Sequence, residues 1–110
     1  MVNRSLICIG LTFALSLAAC SKDEPPPAPY AVEEVPLSQI SADLAAGNTT
    51  SVEVTKAYIE RINTYDDALN SVIMIAPDAL EQAAASDTRR AAGQTLGPLG
   101  GIPILLKDNI

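Results

Sequence analysis

At 110 residues the chain has room for one small domain at most. Seven Lys and Arg stand against thirteen Asp and Glu, and no basic stripe exists to displace phosphate counterions, which argues against nucleic acid as a partner. The absence of His and the presence of only two, unclustered Cys argue against the usual zinc and transition-metal sites.

Residues 1–5 carry one positive charge, on Arg4, and residues 6–19 are uncharged and mostly apolar. That run is shorter than the ~20 residues that span a bilayer. It has the form of a secretory signal core, followed by small residues where cleavage would fall, so residues 1–19 are expected to be removed. Leu17-Ala18-Ala19-Cys20 resembles the lipobox of bacterial lipoproteins, in which the Cys becomes the lipidated first residue. On that resemblance Cys20 is the expected lipid attachment site, and each acyl CH₂ buried in the membrane contributes ~0.8 kcal/mol of anchoring. The implied location is the bacterial cell envelope, on a membrane and facing the periplasm or exterior. Cys8 would leave with the signal, so no disulfide is expected in the mature chain. Residues 20–34 form the lipidated Cys and a tether. Pro25, Pro26, Pro27 and Pro29 exclude a helix or a sheet interior there and favour a semi-rigid, extended spacer.

Residues 35–110 carry the punctuation of a compact α/β protein. A short helix over 38–46 follows Pro36, with Leu37, Ile40 and Leu44 on one side and Gly47 at its end. A second helix over 51–65 begins at Thr50 and Glu53, which have the spacing of a capping box. Val54, Tyr58, Ile62 and Tyr65 give it one apolar face, in which the two tyrosines are packing groups rather than ligand-stacking ones. Residues 71–76 are rich in β-branched side chains and predict a buried strand. A third helix follows Pro77. Asp78 and Glu81 complement its positive end and Arg89 and Arg90 its negative end, and Leu80, Ala83, Ala84 and Ala91 suit close packing on a sheet. Gly93 closes it. A turn over 94–101 then leads into residues 102–106, a continuous apolar run that predicts a strand buried on both faces, with Pro103 at its start or on an edge. The order helix, helix, strand, helix, turn, strand predicts an α/β layer.

Lys107 ends that apolar run, at the strand end where open α/β sheets place their ligands. Burial there disfavours the ammonium form, and a neutral lysine can accept a proton from a hydroxyl nucleophile and pass it on. Asp108 would oppose this if it faced the same side, but neighbours in an extended chain point to opposite faces. Asp108 and Asn109 are equally well read as a turn or as support for the site.

Gly97-Pro98-Leu99, then Gly101-Ile102-Pro103, then Lys107-Asp108-Asn109 resemble the lysine motif of the amidase signature family, whose members hydrolyse amides with a Ser–Ser–Lys triad. Residues 50–54, 68–72 and 77–80 resemble the family's N-terminal region, so the likeness covers about 37–110. It implies the N-terminal part of a large mixed sheet covered by helices, a small-molecule amide substrate, no cofactor, and Lys107 as the catalytic lysine that relays protons through one serine to the nucleophilic serine. Gly100 departs from the many members that carry His there. The family's Gly/Ser-rich segment is absent, and no Gly-Ser or Ser-Ser dipeptide occurs. These residues are therefore expected to be a truncated N-terminal portion, inactive and poorly folded alone. The rival expectation is a non-catalytic envelope lipoprotein that uses a remnant amidase layer as an interaction surface. A transamidase that amidates charged tRNA is disfavoured by the export signal.

Overall fold

The computed structural model describes residues 28–107 and 109. The signal, the lipobox with Cys20 and most of the tether lie outside them. The described residues contain three helices, α1 (Leu37–Ala46), α2 (Ser51–Leu69) and α3 (Ala79–Ala91), and no strand.

Local chemistry sets the helix ends. α1 closes on Gly47 in the left-handed region (φ 75°), with Gly47 N–H donating to the Leu44 carbonyl and Asn48 N–H to that of Asp43. α3 ends the same way at Gly93, whose N–H donates to the Arg90 carbonyl, while Gln94 N–H donates to that of Arg89. α2 carries the expected capping box: Thr50 Oγ1 accepts from Glu53 N–H, and Thr50 N–H donates to Glu53 Oε2. α2 also runs four residues past the expected end. The helix continues through Asp66 and Asp67 until Asn70 turns left-handed (φ 49°) and its N–H donates to the Asp66 carbonyl at 2.7 Å.

The core is small. Ile40 and Leu44 of α1 meet Val54 and Ala57 of α2, with Leu44 2 % and Val54 0 % exposed. Tyr30 and Val32, inside the stretch expected to be tether, also pack there, as do Val35, Tyr58 and Ile102. Leu37, expected on the buried side of α1, is half exposed. The second half of the α2 stripe is not buried either. Tyr65 is open to solvent, with the Arg61 guanidinium 5.3 Å from its ring centre. α3 packs on α2 rather than on a sheet, through Ala83 and Ser86; Ala84 and Ala91 face outward.

Both expected strands are absent as strands. Residues 71–76 and 102–106 leave α2 and the turn as unpaired chain, with Ile73 88 % and Leu106 82 % exposed. A strand exists only with a ladder partner, and none of the described residues supplies one. The α/β expectation thus fails for the described residues, which form a helical layer with two apolar segments projecting from it.

Two carboxylates fasten loops to this layer. Asp43 accepts from Tyr30 Oη at 2.7 Å, Asn48 Nδ2 at 3.2 Å and Gln39 Nε2 at 3.1 Å. The bond from Tyr30 above all, then that from Asn48, holds the Asp43 carboxyl below its usual range. Asp66 is likewise lowered, chiefly by the backbone and hydroxyl of Ser71, both at 2.8 Å. The Tyr30 phenol is pushed up to about 12 by its bond to Asp43. A lowered carboxylate contributes stability above its unfolded value and loses it as pH falls through the folded one. A raised phenol contributes below its unfolded value of 10.0 and loses that as pH rises toward about 12. Thermal stability is therefore expected to fall as pH drops below about 4, and Asp43→Asn to blunt that fall. Identical acid-unfolding profiles for the two proteins would contradict this.

Candidate functional site

The first turn of α2 is where the helices and the lysine motif converge. Its orphan N–H groups need four acceptors. Thr50 N–H and Glu53 N–H are satisfied by the capping box. Ser51 N–H and Val52 N–H are satisfied from α3, by Asp87 Oδ1 at 2.7 Å and Oδ2 at 3.1 Å. A carboxylate at this position also complements the positive end of the helix.

Arg90 sits one turn beyond Asp87 and pairs with it at 3.1 Å. Its Nη1 also donates to Ser51 Oγ at 3.2 Å, and its Nη2 donates to the Gly100 carbonyl at 2.7 Å. The guanidinium fork thus joins α3, the start of α2 and the Gly/Pro turn. Ser51 is fully buried, and Asp87 and Arg90 are half-buried.

The turn itself holds two successive backbone bonds, Gly100 N–H to the Gly97 carbonyl at 2.8 Å and Ile102 N–H to the Leu99 carbonyl at 3.1 Å. Gly101 adopts φ 83°, and a β-carbon there would run into Ser51 Oγ and stand 3.0 Å from Arg90 Nη2. Gly100 is restricted as well, because a β-carbon would collide with that of Leu96. In this conformation the position has no room for a larger side chain.

Lys107 lies beyond this junction at the end of the apolar run. It is exposed, as are Ile104, Leu105 and Leu106. The dry surroundings expected around the lysine are not assembled among the described residues, because the strand that would bury them has no partner. Asp108 lies outside the described residues, and Asn109 is an exposed turn residue. A shallow cleft of about 220 Å³ between α1, the end of α3 and the turn is lined by Ser41, Leu44, Ala45, Arg90, Leu96 and Gly100, and Lys107 does not line it.

Sequence reasoning found Lys107 and the turn but missed the Ser51–Asp87–Arg90 junction. Arg90 read there only as a helix-end charge beside Arg89. The signal lay in the spacing: 83, 86, 87 and 90 share one helix face, so burying Ala83 and Ser86 brings Asp87 and Arg90 into the same interface.

Comparison with known proteins places this architecture. A glutamyl-tRNA(Gln) amidotransferase subunit from Thermobifida fusca is 47 % identical over 72 residues, covering 64 % of this chain and 14 % of that protein. Its counterpart from Chloroflexus aurantiacus is 49 % identical over 70 residues, covering 63 % and 14 %. The crystal structure of PAM12A aligns with a TM-score of 0.68 at 43 % identity, covering 71 % of this chain and 16 % of that one. The chain thus spans about a seventh of the length of the curated relatives it matches. The Amidase family model matches residues 53–110, from the α2 capping box through the Arg90 junction to the lysine motif, and the chain belongs to that family.

Proposed function

We propose that this chain supplies the lysine of an amidase that hydrolyses a carboxylic acid amide to acid and ammonia or amine. The observation that carries this is Lys107 in its motif, six residues beyond a turn held by buried and half-buried groups, inside the stretch that matches the family. An amide is a poor electrophile with a poor leaving group. Its hydrolysis needs a hydroxyl deprotonated as it attacks and a proton delivered to the departing nitrogen. Lys107 Nζ, when neutral, accepts the first proton through one serine and returns it for the second. Both serines belong to parts of the family fold outside this chain, so these residues alone have the base and no nucleophile. Burial of Ile104, Leu105 and Leu106 by those parts would dry the lysine's surroundings and favour its neutral form.

Release of ammonia from a panel of primary amides by the complete protein tests this directly. Turnover is the expected result. A second outcome has specific support, since the relatives at 47–49 % identity belong to amidotransferases. Ammonia release from glutamine only, tied to amidation of charged tRNA, would favour that function. Amide-independent binding without any turnover would favour the non-catalytic alternative.

We propose further that Cys20 carries the lipid and that residues around Pro25–Pro29 hold the enzyme off an envelope membrane. Among the described residues no helix is long and apolar enough to cross a membrane. An alkyne-palmitate label is expected on the wild-type protein and absent from Cys20→Ala. Equal labelling of both would overturn the assignment.

A further inference from the structure

We propose that Arg90, with Asp87 and Ser51, is a positioning device that aims Lys107. The assignment rests on the amidase function proposed above. None of the three residues touches the reacting atoms; they act through the turn at the root of the lysine-bearing run.

Three contacts fix that root. Arg90 Nη2 holds the Gly100 carbonyl at 2.7 Å. The Gly101 backbone lies so close to Ser51 Oγ and Arg90 that no side chain fits between. Ile102 packs on the core cluster of α1 and α2. Pro103 then removes one backbone freedom from the run that follows. Asp87 completes the device in two ways. It accepts from both the Ser51 and Val52 amides, which fixes the wall against which Gly101 rests, and it orients the guanidinium.

Leverage makes the root matter. Lys107 lies six residues beyond Gly101, up to roughly 20 Å when that run is extended, so a swing of about 10° at the turn then displaces the lysine by about 3 Å. A misplacement of about 1 Å can cost a catalytic group about 100-fold in rate. A cation at 90 that only complemented the α3 dipole would have no such consequence. Among the described residues the side chain of Arg89, its neighbour, donates only to Ser86 Oγ within its own helix.

The test measures position first and rate second. In the complete protein, with its native cysteines replaced, spin labels at Lys56→Cys on α2 and at Leu106→Cys report the direction of the run. Wild-type side chains at 51, 87 and 90 are expected to give one narrow distance distribution. Arg90→Gln should widen it about two-fold while helical circular dichroism stays unchanged. Should Arg90→Gln lose helix, Arg90→Lys decides, because a single ammonium keeps the Asp87 pair but cannot hold Ser51 and Gly100 together. A distribution as narrow as wild type in that variant overturns the proposal. In the complete enzyme Arg90→Lys should lower kcat about 10- to 100-fold with KM changed less than about two-fold. An unchanged kcat overturns it too. Full activity in Lys107→Ala would instead remove the amidase function and leave the distance result standing.

Discussion

Gly101→Ala is expected to destabilise the chain by about 2–4 kcal/mol, the largest stability loss of any single methyl addition in the turn. Two costs combine. The residue sits at φ 83°, where a β-carbon meets its own backbone at a cost of about 1–2 kcal/mol. The same carbon would strike Ser51 Oγ and crowd Arg90 Nη2 at 3.0 Å. Ser51 cannot retreat easily, because its N–H is held by Asp87 and its side chain is fully buried beside Arg90. Relief must come from the turn moving off α2, which breaks the Arg90–Gly100 bond. For a domain of this size each kcal/mol lowers the melting temperature by roughly 4–8 °C, so thermal unfolding reads the effect easily. A Gly101→Ala protein melting within about 2 °C of wild type, roughly zero on that scale, would contradict it. Gly47, also left-handed, has open space where a β-carbon would stand, so Gly47→Ala should cost only the conformational part, about 1 kcal/mol.

Lys107→Ala in the complete protein is expected to lower kcat for amide hydrolysis by about 10²- to 10⁴-fold, the range of a lost general base. Stability should change little. The side chain is exposed among the described residues, so its removal opens no cavity in the α1–α2 core. This separation of effects is the signature of a residue held for chemistry. Leu44→Ala marks the opposite extreme: it touches no part of the proposed chemistry and empties the centre of a core containing few large side chains. If Lys107→Ala lost activity and folding together, a structural role would explain both.

Local chemistry made much of this layer legible. Thr50 and Glu53 form their capping box from spacing alone, and Gly47 and Gly93 mark helix ends because each of those signals is complete within a few residues. The lysine motif was equally readable as a pattern. The strands over 71–76 and 102–106 were not, because a strand depends on a partner that no local signal contains. Their β-branched and apolar residues are suited to a sheet, but the described residues offer no edge for it. The Arg90 junction was hidden for a related reason. Arg90 and Ser51 are 39 residues apart, and Asp87 and Ser51 are 36 apart. Arg89 and Arg90 look equivalent in sequence, and only the phase of α3 against α2 tells the one that reaches Gly100 from the one that stays on its own helix. The overlong α2 has a similar origin, since the Asp66 carboxylate accepts from the Ser71 and Val72 amides and ties the following chain back to the helix end.

The role proposed for Lys107 is to accept and return a proton during amide hydrolysis. Chemical rescue of Lys107→Ala by small primary amines tests it most directly. The complete protein carrying the substitution, with its fold verified, is assayed for ammonia release at increasing amine concentration. Turnover is expected to rise in proportion to the neutral amine, with little effect of the same amines on the unsubstituted enzyme. A folded Lys107→Ala protein that keeps full activity without amine, or one that is inactive and gains nothing from any amine, would contradict the assignment.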